Sequence, residues 1–268
     1  MAKAVTETAA HKAVLEGKPI IKHGLALRGI PMGRYEDWAR CKKVWLARQS
    51  TFPVSCVSIP FLNALWKLDM DALNRFGKPV GMIYCIMDGI GMALGFREEC
   101  VRDGDIRVSI DEATMDIQAI VVKVNGAEKE ITPELFPDIR KIVAWMQGEE
   151  VPDESMNDEL LETERDLAMK NAPHLNYSLL DMEASVALNC GIRLRDVLNW
   201  PILEFENMRR AIERDKKHFL CAIGMTNGCK WEGGNPYPSW CFDRAKDGTS
   251  ALISQSAFGK PKVNTKKE

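Results

Sequence analysis

The sequence predicts a mainly helical α+β protein, with a small antiparallel β-hairpin inserted between helices. Three observations carry this prediction. Apolar residues recur at three- to four-residue spacing over much of the chain, the period of an amphipathic helix. Between residues 106 and 132 the period drops to two, and Asn125-Gly126 supplies the strongest two-residue hairpin signal. The stretch 177–240 is a run of helix punctuation: a Ser178 cap, a Gly191 stop, Trp200-Pro201 and a second long apolar stripe.

The 268 residues can bury one good core or two small ones. A composition of 46% hydrophobic and 28% charged residues excludes global disorder, and a net charge of -2 gives no electrostatic case for nucleic acid. Eight cysteines are scattered at 41, 56, 85, 100, 190, 221, 229 and 241, and the amino terminus has no apolar signal-peptide core. They are expected to be reduced, mostly as small buried hydrophobes, in a soluble protein of the cytoplasm.

Residues 1–24 are rich in Ala, Lys and Glu with no sustained apolar face, so a mobile arm or a frayed helix is expected there. A helix follows over 34–48, where Tyr35, Trp38, Cys41 and Trp45 form one stripe. Phe52-Pro53 breaks it, and Ser58 with Pro60 opens the next, which carries Leu62, Leu65, Trp66 and Leu68. Residues 80–96 are the most apolar run. As a membrane span this run is too short, holds Asp88 and is broken by four glycines. As a dinucleotide loop, Gly89, Gly91 and Gly95 are spaced one residue too widely, with no long helix behind them to face a pyrophosphate. The expectation is a glycine-notched core helix that packs closely on a neighbour.

Strands are expected at 106–110, 118–124 and 127–131, the last two joined through Asn125-Gly126. Thr132-Pro133-Glu134 reads as the start of a helix bearing Leu135, Ile139, Ile142, Val143 and Met146 and closed by Gly148, with Pro137 confined to its first turn. Residues 149–166 are strongly acidic. In the central stretch, Ser178 and Asp181 form a capping box, Tyr177 and Met182 are placed as a staple, and Gly191 ends the helix. Pro201 reads as the first residue of a helix with Ile202, Phe205, Met208, Ile212, Phe219 and Ile223 on one face. The expected organisation is an arm at 1–24, an N-terminal helical domain with the hairpin at 25–150, and an acidic linker or helix at 151–175. A C-terminal helical domain at 176–244 and a disordered tail at 245–268 complete it.

Reaction chemistry is not legible. The acidic segment contains no calcium-loop pattern. His218, Cys221, Cys229 and Cys241 offer a single chelating pair, His218 with Cys221, where zinc wants two. Neither a nucleophile elbow nor a phosphate-binding Gly-Lys-Ser/Thr loop is present, and His174, His218 or a buried carboxylate would have to serve as any neutral base. No catalytic, cofactor-binding or metal residue is assigned, and neither a cofactor nor a membrane partner is expected.

The order of parts over 130–245 carries a resemblance. A hairpin leads into Ile131-Thr132-Pro133-Glu134-Leu135-Phe136-Pro137-Asp138-Ile139-Arg140 and an acidic segment. Leu179 to Ile192, Asp196-Val197-Leu198-Asn199-Trp200, Phe205 and a closing Pro238-Ser239-Trp240 follow. This order resembles the tail assembly chaperones encoded among the tail genes of bacteriophages. The paired tryptophans of the N-terminal half have no counterpart in that pattern. The resemblance implies a non-enzymatic protein that coats the tape-measure protein, shields its apolar helices and recruits tail-tube subunits. Thirteen methionines suit an adaptable apolar groove, and Trp200, Phe205 and Met208 are the candidate partner-binding residues. Two alternatives stand beside this reading. One is a structural or baseplate-associated subunit of the virion, and the other is a nucleotide-binding enzyme using the glycines at 89–95. Nothing in the sequence sets the oligomeric state.

Overall fold

The computed structural model describes residues 5–154 and 178–229, and the chain divides into two compact units, Met1–Asn207 and Met208–Glu268. The fold is mainly helical, with two small antiparallel sheets among the described residues. In chain order the described elements are α1 (Glu7–Leu15), β1 (Ile20–Lys22), β2 (Leu25–Leu27), α2 (Tyr35–Trp45), α3 (Val54–Val57), α4 (Phe61–Phe76) and α5 (Met82–Leu94). Then come β3 (Ile106–Ile110), β4 (Ile117–Val124), β5 (Ala127–Ile131), α6 (Phe136–Met146), α7 (Leu179–Cys190), α8 (Leu194–Val197) and α9 (Ile202–Thr226).

The core of the first unit is an aromatic chain. Trp38 and Trp45, one stripe of α2, have ring centroids 5.9 Å apart; Trp45 meets Phe136 of α6 at 5.7 Å, Phe136 stacks on Phe61 of α4 at 6.1 Å, and Phe61 meets Phe52 at 6.0 Å. Two glycines of α5 make room around it. A Cβ on Gly89 would lie 2.2 Å from Trp45 Nε1, and one on Gly91 would lie 2.6 Å from Cys100 Sγ. The expected glycine-notched helix is therefore observed. The dinucleotide-loop alternative is not: both glycines lie inside α5, where their space is taken by a tryptophan and a cysteine rather than left open to a phosphate.

Helix ends are satisfied from a distance. Asp69, buried on α4, accepts hydrogen bonds from the backbone N–H groups of Gly81, Met82 and Ile83 at 2.8, 3.1 and 2.9 Å, so its carboxylate caps α5. Arg140 of α6 lies 3.8 Å from the Phe61 ring centroid and donates to the carbonyls of Trp45, at 2.7 Å, and Ala47, closing the end of α2. Burial draws its guanidinium down to about 10.

The hairpin is as expected: β3-β4-β5 is antiparallel, and Asn125 and Gly126 both have positive φ in the β4–β5 turn. The α6 start differs. Helix begins at Phe136 rather than Pro133, because Pro137 lacks an N–H and would clash with the carbonyl of Pro133, which pins it to the first turn. The capping box of Ser178 and Asp181 is formed, with Gly191 in the left-handed conformation at the end of α7. Pro201 precedes α9 rather than opening it. The Tyr177 half of the staple lies outside the described residues.

Two expectations about organisation are corrected. Within 1–24, residues 7–15 form α1 with Ala10 and Val14 buried, and β1 pairs with β2 through a tight turn at His23-Gly24, both of positive φ. The apolar face is narrow, only two small residues, which is why its periodicity is weak. A separate C-terminal domain beginning at 176 is also not found, because residues through Asn207 belong to the first unit. A strap at 28–33, ending in the short helical turn that starts at Met32, holds them there: Arg28 N–H donates to Ala93, Ile30 N–H to Gln147 Oε1, Met32 N–H to Trp200 and Gly33 N–H to Leu198, while Ile202 N–H donates back to Ile30. The expected linker, except for its first residues, and the expected tail at 245–268 lie outside the described residues.

Two outcomes are expected. Gly89→Ala should lower stability by roughly 1–3 kcal/mol in urea unfolding, overpacking Trp45 by more than the ~1 kcal/mol helix-propensity gain; an unchanged or raised midpoint would contradict the notch. Glu183, buried on α7, has its carboxyl pushed up from 4.5 by burial and then by Glu36. The folded state therefore holds this proton more tightly, and stability falls as pH rises from 4.5 through the raised value. Glu183→Gln should thus be more stable than the parent at pH 7 in urea unfolding, with the difference fading toward pH 4.

Candidate functional site

A cluster of charged and thiol side chains sits where α2 packs on α5. Its centre is Asp88, an aspartate inside the most apolar helix and almost wholly buried. A buried carboxylate is costly unless paired and hydrogen-bonded. Arg34 Nη2 lies 3.3 Å from Asp88 Oδ1, and Arg40 Nη2 lies 3.2 Å from Asp88 Oδ2. Asp37 holds both arginines from the other side, 2.8 Å from Arg34 Nε and 3.0 Å from Arg40 Nη2. The Cys41 thiol reaches Asp88 Oδ2 at 3.7 Å. The spacing of Asp37, Arg40 and Cys41 on α2 puts these groups toward α5, while Arg34 enters from the short turn before α2.

Arg34 also lines an open depression of about 430 Å³ together with Met92, Phe96 and Arg97, just past the end of α5. A second hollow of about 330 Å³ shares Phe96 and Arg97 and is bounded by Cys100, Asp103 and Asp105. In this arrangement the Arg34 guanidinium is committed to Asp37 and Asp88, so the geometry reads as structural clamping of two helices.

The thiols are the chemically distinctive members. Cys41 and Cys85 are free thiols on the two packed helices α2 and α5. The neighbouring Cys41 thiol and the Arg40 charge draw the Cys85 thiol down, against burial and the charges of Asp88 and Asp69. The influence of Cys85, together with burial, raises Cys41.

The sequence-predicted partner residues fare differently. Phe205 is fully buried in the first unit, so it is a core residue and not part of an exposed groove; the same 3.6-residue stripe that suggested a binding face is what a core face requires. Trp200 is half-buried, with its carbonyl accepting from Met32, and Met208, in the second unit, is half-buried. His218, Cys221 and Cys229 lie in the second unit, whereas Cys241 and His174 fall outside the described residues. Among the described residues no group of three or more His, Cys, Asp or Glu side chains is arranged to hold a metal, and no helix is long and apolar enough to cross a membrane. Sequence reasoning missed the Asp88 cluster although its signal was present: a lone acid in an apolar helix demands partners.

Removing one partner of a buried ion pair strands the other. Arg34→Gln should cost more stability in urea unfolding than Arg40→Gln, because the Arg34 side chain is 14% exposed and that of Arg40 58%. Asp88→Asn should cost about 3 kcal/mol, since it leaves two guanidinium groups facing one another. Equal costs for the two arginine variants would contradict this geometry.

Comparison with known protein families, with curated proteins and with solved structures finds no match to this chain.

Proposed function

We propose that this protein is a non-enzymatic assembly factor that captures apolar helices of a partner, in the manner of a bacteriophage tail assembly chaperone acting on tape-measure and tail-tube subunits. The observation that supports this reading is the water-facing apolar surface of the second unit. Phe219 and Ile223 lie one turn apart on the same face of α9, with Leu220 beside them, and are 63%, 41% and 66% exposed. Each such side chain forgoes about 1.5–3 kcal/mol of burial as long as it faces water, which is surface suited to a partner helix. Glu213 pairs with Arg209 and Lys217 one turn to either side, which supports the helix. The binding face thereby moves from Phe205, which is core, to the 219–223 turn.

The test is capture of partners by tagged full-length protein in phage-producing cells, read by mass spectrometry beside purified particles. The parent should retain a long helical tail protein and be absent from the finished particles. Phe219→Glu combined with Ile223→Glu should reduce capture roughly tenfold or more, the equivalent of losing at least ~1.4 kcal/mol, with an unchanged unfolding midpoint. Capture of no tail protein, or equal capture by the double variant, would refute the reading, and stoichiometric presence in particles would make the protein a virion subunit.

A further inference from the structure

Helices α4 and α5 pack on one another and are joined by residues 77–81, and every residue from 73 to 80 is exposed. Phe76, the last residue of α4, is 74% exposed and Val80 is 63% exposed. Leu73, one turn before Phe76, and Tyr84, in the first turn of α5, are also open to water. A Cβ added at Gly77 or Gly81 would meet no atom within 4 Å, so the space beside the turn is empty and these side chains stand on a projection rather than in a groove. The projection is held in shape. Gly77 N–H donates to the Leu73 carbonyl at 2.9 Å, Pro79 fixes its own φ, and Asp69 accepts from the amides of Gly81, Met82 and Ile83 on the far side. Its charge is of one sign. Residues 72–87 contain Arg75 and Lys78 and no acid, and neither cation has a carboxylate partner among the described residues. Of the two acids of α4 nearest the turn, Asp69 is buried and occupied by those amides, and Asp71 is exposed.

We propose that this turn docks the protein on an anionic lipid surface, with Phe76 and Val80 entering the interfacial layer and Arg75 and Lys78 meeting the lipid phosphates and carboxylates. A phenyl ring and an isopropyl group on a projection require a matching pocket in a protein partner, whereas the boundary between headgroups and acyl chains deforms to take them in. The long stems of Arg75 and Lys78 can lie along that apolar boundary while their charges stay among the headgroups, and Tyr84 suits the same layer, with its ring in the apolar part and its hydroxyl in water. The exposed amides and carbonyls of the turn keep their water in this layer, so no backbone group is left unpaired. Two apolar side chains and two cations make a small anchor. Binding is therefore reversible, weakened by salt and dependent on acidic lipid. No described helix is long and apolar enough to span a bilayer, and docking of this kind requires no span. The site lies wholly in the first unit and does not depend on partner capture by the second.

The experiment sediments the full chain with vesicles of equal parts phosphatidylcholine and phosphatidylserine, and in parallel with vesicles of phosphatidylcholine alone. The parent should partition onto the acidic vesicles roughly tenfold or more better than onto the zwitterionic ones, and should be released in about 1 M salt, where the Debye length falls to about 3 Å. Phe76→Ser combined with Val80→Ser, and separately Arg75→Gln combined with Lys78→Gln, should each lower the partition coefficient by about tenfold or more. All four side chains are exposed, so the urea midpoint of either double variant should match that of the parent, and Phe76→Trp should bind as the parent does. Failure of the parent to sediment with the acidic vesicles, equal partition onto both kinds of vesicle, or undiminished binding by either double variant would overturn the proposal. So would self-association of the parent in the absence of lipid that the Phe76→Ser, Val80→Ser variant loses, because the turn would then be a protein interface.

Discussion

The fit of Trp45 against Gly89 is the constraint on which the rest of the first unit depends. A side chain at position 89 would occupy the space of the indole, so the closeness of α2 and α5 is set by the absence of one carbon. Once the helices are that close, residues a turn to either side have no freedom to avoid each other. Asp88 is carried into the interface and has to find Arg34 and Arg40, and Cys41 is laid against Asp88. The Trp45 ring also continues into Phe136 and Phe61, which ties α4 and α6 to the same contact.

Around this contact, side chains from one element finish the backbone of another. Asp69 supplies the acceptor that the N-terminal amides of α5 lack, and Arg140 supplies donors for the last carbonyls of α2. Gln147 does the same for the strap at Ile30, and Glu154 for the amides of Gln49 and Ser50. An unsatisfied buried backbone group costs on the order of 1–3 kcal/mol, so each of these long-range bonds penalises any alternative arrangement of the helices. Specificity in this fold rests on such polar bonds as much as on its apolar core.

What the sequence revealed follows from the range of the interaction behind each feature. The Asn125-Gly126 turn, the Ser178–Asp181 box and the Gly191 stop are settled within four residues, and all three are visible in the chain. The stripe of Trp38 and Trp45 identified a core helix for the same reason. The Asp69 cap spans twelve residues or more, and the Arg140 bonds to the end of α2 span more than ninety, so no local pattern announces them. The β1–β2 hairpin went unseen because its turn is His23-Gly24 rather than Asn-Gly, and Phe205 was read as a binding residue because a helical stripe looks the same whether a core or a partner covers it. In the candidate site, the glycines and Asp88 were each legible singly. Their meaning required knowing which residues face them.

The central claim, that the α2–α5 contact frames the first unit, is tested most directly by native-state amide hydrogen exchange on the full chain. If the claim holds, the amides of α2 and α5 exchange last and share one opening free energy, because neither helix can leave without exposing Trp45 and stranding Asp88. Exchange of α2 well ahead of α5 would contradict it, since α2 could then detach while the remainder of the unit stayed folded.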